Sequence, residues 1–260
     1  MPFAQLPEAR IHYDLSGPAS APALVFSNSL GATLSMWDPQ WPALQKQFRV
    51  LRYDTRGHGQ SSVTPGPYAI EQLAGDVLAL LDELKLDRVC FCGLSMGGQT
   101  GMWLALNAPT RLRKLILCDT AAKIGTPEMW NSRIEAVRKG GMKSISTAVM
   151  ERWFSATYRA NFPEVVATIK LILERQDPDG YIASCAAVRD FDARETIAKM
   201  AVPTLVIAGT HDAATTPSDG HYLADRIVGA QYVELNAAHL SNIEDPGHFT
   251  SRSSSFLLSQ

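Results

Sequence analysis

Short continuous apolar runs alternate along this chain with stretches whose apolar positions recur every three or four residues. Ala23-Leu24-Val25-Phe26, Phe48-Arg49-Val50-Leu51-Arg52-Tyr53 and Arg88-Val89-Cys90-Phe91-Cys92 predict strands. So do Lys114-Leu115-Ile116-Leu117-Cys118, Thr204-Leu205-Val206-Ile207-Ala208 and Gln231-Tyr232-Val233-Glu234-Leu235. Ile70 to Leu84 predicts a helix with Glu71, Asp76, Asp82 and Glu83 on its far side, and Gln99 to Leu106 reads as another. Continuous apolar strands separated by helices imply an α/β fold with a mostly parallel, twisted sheet covered on both faces. Ligands in such folds bind beyond the carboxyl ends of the strands. Residues 123–195 break the alternation with helical patterns and several aromatics, among them Trp130, Trp153, Phe154, Tyr158, Phe162 and Tyr181. They are expected to form a helical cap inserted between two strands, with 1–122 and 196–260 making the core.

The length of 260 residues and an apolar content of 46% allow one large α/β domain with an insertion. A formal net charge of −2 recruits neither nucleic acid nor an anionic membrane. The first eight residues show no basic region followed by an apolar stretch, so no signal peptide is expected, and no run of 18 apolar residues suggests a membrane span. Cys90, Cys92, Cys118 and Cys185 lack metal spacing and read as buried free thiols, which suits a reducing, cytoplasmic setting.

Gly93-Leu94-Ser95-Met96-Gly97 fits G-x-S-x-G at a strand-to-helix junction, where that motif forms a nucleophile elbow. The sharp turn leaves no room for side chains beside Ser95 and lifts its hydroxyl to the positive end of a helix. A serine hydroxyl needs a base within hydrogen-bond reach. Of six histidines, His239 follows the last strand-like run, in Asn236-Ala237-Ala238-His239, and is favoured over His211 and His221. His58, in the glycine-flanked Arg56-Gly57-His58-Gly59, reads as structural, while His12 falls in an early hairpin strand and His248 in the C-terminal helix. A carboxylate must orient the base and stabilise its cation. Asp212 and Asp119 each follow a strand, and the chain order Ser…Asp…His accommodates either; Asp212, one strand before His239, is preferred. Asp54 reads as a core carboxylate holding the following turn through Arg56. Two backbone donors must meet the oxyanion: the Met96 N–H, and Leu30 N–H in Ser27-Asn28-Ser29-Leu30-Gly31.

With these residues placed, the chain resembles the α/β-hydrolase superfamily along nearly its whole length, and within it the 3-oxoadipate enol-lactonases. Four stretches carry the likeness: Phe26 to Gly31 with Met36 to Gln40; Leu51 to Gly59; Cys92 to Gly98 with Thr100-Gly101; and Thr120 to Gly125 with Trp130-Asn131. Asn28-Ser29, where many relatives carry His-Gly, and Ala121-Ala122-Lys123-Ile124-Gly125 are the discriminating points. The resemblance implies a bacterial enzyme of aromatic-compound catabolism that opens an enol-lactone to 3-oxoadipate without metal or cofactor.

That lactone carries a free carboxylate. From Lys123 to Arg159 there are seven basic residues against three acidic, and the balance reverses to four against seven by Glu195. A basic run is usually a solvated face, but an inward arginine can pair with a carboxylate bidentately. Arg133, three residues after Trp130 on a helix, is the candidate, with Trp130 and Trp153 as pocket wall. The expected partner is therefore a small anionic lactone. Another esterase or a cofactor-free haloperoxidase of the same fold shares the triad, and a non-catalytic receptor shares the scaffold. Turnover of a simple p-nitrophenyl ester separates the receptor from the enzymes.

Overall fold

The computed structural model describes residues 2–259. Eight strands form one sheet: β1 (Phe3–Gln5), β2 (Arg10–Ser16), β3 (Ala23–Ser27), β4 (Arg49–Tyr53), β5 (Val89–Leu94), β6 (Leu112–Cys118), β7 (Thr204–Gly209) and β8 (Gln231–Leu235). Their spatial order is β1-β2-β4-β3-β5-β6-β7-β8. The β1/β2 and β2/β4 pairs are antiparallel and every later pair is parallel.

Side chains alternate across the pleat, so each apolar strand feeds two cores. Leu24 and Phe26 of β3 and Cys90 and Cys92 of β5 enter one cluster. Val25, Val89 and Phe91 enter the other, on the opposite face. The helices that cover the sheet are amphipathic in the required register. In α2 (Ile70–Glu83), Ile70, Leu73, Ala74, Val77, Leu80 and Leu81 are buried at helical spacing. Asp76 also lies inward, because its carboxylate holds Arg56 at 2.5 and 2.8 Å. The elbow helix α3 (Met96–Asn107) is buried along most of its length.

A short helix α1 (Trp41–Leu44) precedes β4, and five helices lie between β6 and β7: α4 (Pro127–Gly140), α5 (Lys143–Trp153), α6 (Ala156–Asn161), α7 (Pro163–Glu174) and α8 (Pro178–Asp190). Three of the five start at a proline, whose missing N–H costs nothing in a first helical turn. Thr126 and Asp177 cap α4 and α8 with side-chain oxygens. The inner faces, through Trp130, Ile134, Val149 and Trp153, join the same cluster as Phe26 and Cys92. After β7 come α9 (Pro217–Arg226), α10 (Ser241–Glu244) and α11 (Pro246–Leu258). Among the described residues no helix is long and apolar enough to cross a membrane.

Parallel strands place their carboxyl ends on one edge. The register couples Ser27 to Gly93, Leu94 to Cys118, Cys118 to Ile207 and Gly209 to Leu235. The loops after β3, β5, β6, β7 and β8 therefore start side by side.

Candidate active site

Ser95 joins β5 to α3 with φ 57° and ψ −113°, a conformation that costs a non-glycine residue about 1–3 kcal/mol. Its surroundings hold it there. Ser95 N–H donates to Cys118 O at 3.0 Å, and Thr120 Oγ1 donates to Ser95 O at 2.8 Å. A Cβ on Gly93 would run into the Gly97 carbonyl, and one on Gly97 into the Ser27 carbonyl. The glycines are thus required by backbone packed against backbone.

His239 follows β8, with Nδ1 2.7 Å from Asp212 Oδ2, and both residues are buried. Asp212 is held on every side. Oδ1 accepts the N–H groups of Ala214 and Thr215 at 2.7 and 3.0 Å, and Oδ2 accepts Thr215 Oγ1 at 2.7 Å. With a proton on Nδ1, the Nε2 lone pair is left to act as a base. Burial alone would lower the His239 pKa, but the Asp212 carboxylate beside it outweighs burial and raises it above 6.5. Burial likewise opposes the Asp212 charge, and the His239 contact with the Thr215 bonds draws its pKa below 3.8. Ser95 and His239 line one cavity. His239 makes its hydrogen bonds through Nδ1, and Nε2 has no partner among the described residues. Serine–base contacts of this kind commonly close only when substrate arrives.

Asp119 is also buried at this edge but is spent elsewhere. Its Oδ1 accepts Gly209 N–H at 2.8 Å and its Oδ2 accepts the Ser241 hydroxyl at 2.5 Å. Burial, and then the charge of Asp212, push it up to about 8. The remaining histidines stand apart. His58 Nε2 accepts the Gly31 N–H at 2.9 Å while Nδ1 faces Arg56 O at 3.2 Å, which fixes one neutral tautomer, and burial lowers its pKa. His12 Nδ1 pairs with Asp54 at 2.7 Å. His211 and His221 face Asn236 and Glu234 away from the serine, and His248 pairs with Asp245 on α11. Asp54 does hold the turn after β4, though not through Arg56. It accepts the N–H groups of Leu34 and Gln60 at 2.8 and 3.0 Å, whereas Arg56 turns to Asp76.

Two amides are left open beside Ser95. In the loop after β3, Ser29 N–H meets Met36 Sδ and Gly31 N–H meets His58, but Leu30 N–H between them has no acceptor among the described residues. Met96 N–H, the first of α3, has none either, and both residues are buried. Buried unpaired N–H groups are rare, and at a helix start they invite an anion.

The cavity is narrow, about 50 Å³, and is roofed by α4, α5 and α8. Arg133, Trp130 and Trp153 all line it. Trp130 is pinned by its Nε1, which donates to Ile124 O at 2.7 Å, and the Arg133 guanidinium lies 4.9 Å from its ring centroid. Sequence reasoning missed Arg152, Tyr181 and Met129, which also line it. Arg152 was visible only as one of seven basic residues, with no spacing to set it apart. A groove of about 750 Å³ between residues 63–67, α4 and α8 is larger, but no serine, cysteine or histidine lines it. Among the described residues no three His, Cys, Asp or Glu side chains are grouped to hold a metal.

A mostly parallel sheet of this order with a serine on a strained strand-to-helix turn and a carboxylate-bound imidazole at the same edge defines an α/β hydrolase. The alpha/beta hydrolase fold family matches residues 22–143. Two relatives from Acinetobacter baylyi, 3-oxoadipate enol-lactonase 2 and 3-oxoadipate enol-lactonase 1, are 43% and 40% identical. The first alignment covers 93% of this chain and 91% of the relative, the second 94% and 92%. The solved enol-lactonase from Burkholderia xenovorans LB400 is 49% identical, superimposes with a TM-score of 0.98, and is matched over 99% of this chain and 100% of its own. The chain belongs to the α/β-hydrolase family, and its similarity within that family runs to enol-lactonases.

Proposed function

We propose that the protein is a serine hydrolase that opens 3-oxoadipate enol-lactone to 3-oxoadipate in the catabolism of aromatic compounds. The observation that carries this reading is the single cavity shared by Ser95, His239 and two arginines, in a chain 43% identical to a 3-oxoadipate enol-lactonase. Residues 123–195 act as a cap over the sheet edge, and the enzyme works in the cytoplasm on a small anionic lactone.

Ser95 attacks the lactone carbonyl while His239 Nε2 takes the hydroxyl proton. Asp212 holds the imidazole and compensates its charge. The oxyanion settles between Leu30 N–H and Met96 N–H, each donor contributing about 3–4 kcal/mol in the transition state. The ring C–O bond breaks and expels an enolate, a better leaving group than an alkoxide, which takes the proton held by His239 and tautomerises to the ketone, leaving His239 neutral. Water, losing a proton to His239, then cleaves the acyl ester and restores Ser95. Arg133 orients the substrate carboxylate, with Trp130 and Trp153 as walls.

The test is enol-lactone consumption followed by ultraviolet absorbance. Wild type should consume the lactone, and Ser95→Ala should slow kcat by about 10³-fold or more. A Ser95→Ala protein working at the wild-type rate would end this mechanism, and a wild type that hydrolyses only neutral esters would end the substrate assignment.

A further inference from the structure

Arg133 on α4 and Arg152 on α5 reach the same cavity from two different helices. Neither lies within 4 Å of a carboxylate among the described residues. Outside the cavity, Arg138 and Arg189 are paired with Glu135 and Asp190. Among the described residues the Arg152 guanidinium has one hydrogen-bond partner, Met129, with its Nη1 4.0 Å from Sδ. Asp212, the acid whose charge acts on Arg152, is already committed to His239 and Thr215. Burial pushes the Arg152 pKa down, and so does the charge of Arg133. Two half-buried cations facing each other without a counter-charge are unfavourable until an anion enters.

One carboxylate neutralises one of these charges. The substrate of the reaction read above carries one, but its product carries two. When water attacks the acyl ester, the C–O bond to water forms and the bond to Ser95 Oγ breaks. The water proton passes through His239 to Oγ, and the released acid ionises to solvent. The ligand left in the cavity then has a carboxylate at each end: one beside Ser95 and the open amides, the other among the guanidinium groups.

Resting on that reading of the reaction, we propose that the cavity is a dicarboxylate site. It binds a linear α,ω-dicarboxylate more tightly than the same chain with one carboxylate, because two carboxylates balance the two guanidinium charges that share the cavity, and the Arg152 charge is the second of these. The enzyme is accordingly inhibited by its own class of product and by unrelated short diacids.

Calorimetric titration with adipate and with its monoamide, which differ by one charge at equal length, tests this without any lactone. The expected result is a Kd at least tenfold lower for adipate in wild type, falling to a ratio under threefold in Arg152→Gln. Arg152→Lys keeps the charge and should keep the ratio within threefold of wild type. Equal affinities for the two ligands in wild type would overturn the proposal, whatever the variants do. So would an unchanged ratio in Arg152→Gln. A protein inactive on the lactone that still prefers adipate would sink the substrate assignment and leave this site standing.

Discussion

The carboxyl edge of the sheet and the helical segment above it are built on different rules. At the edge, each chemical group is fixed by backbone. Ser95 is set by the β5–β6 register and by carbonyls that forbid a side chain at Gly93 and Gly97. Asp212 is fixed by two amides and a hydroxyl. In the α4–α8 segment, groups are placed by side-chain packing, and Arg133 and Arg152 end without acidic partners among the described residues. The edge meets the segment at few hydrogen-bonded points. Leu240 N–H, next to His239, donates to Trp153 O at 3.0 Å, and Glu244 accepts from both Ser155 and Ala238. Under the proposed function this contrast is a division of labour: the edge would supply acyl-transfer chemistry common to many ester substrates, and the segment would choose which of them to hold.

The largest effect that would sharpen this contrast is at the edge. Asp212→Asn removes the charge that holds the imidazole and should lower kcat by about 10⁴-fold on anionic and neutral substrates alike. The pH profile of kcat/KM carries the sign. The base must be neutral, and its raised pKa places the acid limb of the wild-type profile above pH 6.5. Without the Asp212 carboxylate, burial remains and lowers the pKa, so residual activity should have its limb at more acidic pH. A limb that stays in place would show that Asp212 does not set the His239 pKa.

A smaller and selective effect is expected from the segment. Arg133→Ala should raise KM for the anionic lactone roughly 10–100-fold, the range of a charge-assisted hydrogen bond of about 1.5–3 kcal/mol, and leave KM for a neutral aryl ester within about twofold. Equal effects on both substrates would place Arg133 outside the site and erase the division between edge and segment.

The smallest effect concerns stability. Asp119 has a pKa raised to about 8 from 3.8, so the folded protein holds a proton that the unfolded chain gives up between those values. Its ionisation therefore costs stability increasingly as pH rises from about 4 to 8, and the cost is absent at lower pH. Asp119→Asn keeps an acceptor for Gly209 N–H, and its amide N–H can donate to Ser241 once that hydroxyl rotates to accept, without that cost. Its Tm should match wild type near pH 4 and rise above it progressively as the pH approaches 8.5. A uniformly lower Tm would mean that the carboxylate is needed in its charged form.

The sheet and its edge were legible because each apolar run ends where a polar or glycine residue begins, and that boundary is where parallel strands put their chemistry. Ser95, His239 and the Leu30 loop could be placed on that basis. Choosing between Asp119 and Asp212 could not be settled in the same way. Both follow a strand, and what separates them is the direction of a carboxyl group, visible only once Gly209 and Ser241 are seen to claim Asp119. The β1–β2 hairpin gave a weak pattern because β1 has three residues and β2 mixes polar with apolar positions. Arg152 was illegible for a further reason. On the basic half of the segment, charge alone does not distinguish a side chain turned to the cavity from one turned to water, and only helix packing decides.

The central claim is that residues 95, 212 and 239 act as one nucleophilic unit, and labelling with a fluorophosphonate tests it most directly. Intact-mass and peptide analysis should find one adduct per chain, on the peptide containing Ser95, with the labelling rate reduced at least about 100-fold in His239→Gln. An adduct on another residue, or equal labelling rates in wild type and His239→Gln, would contradict the account.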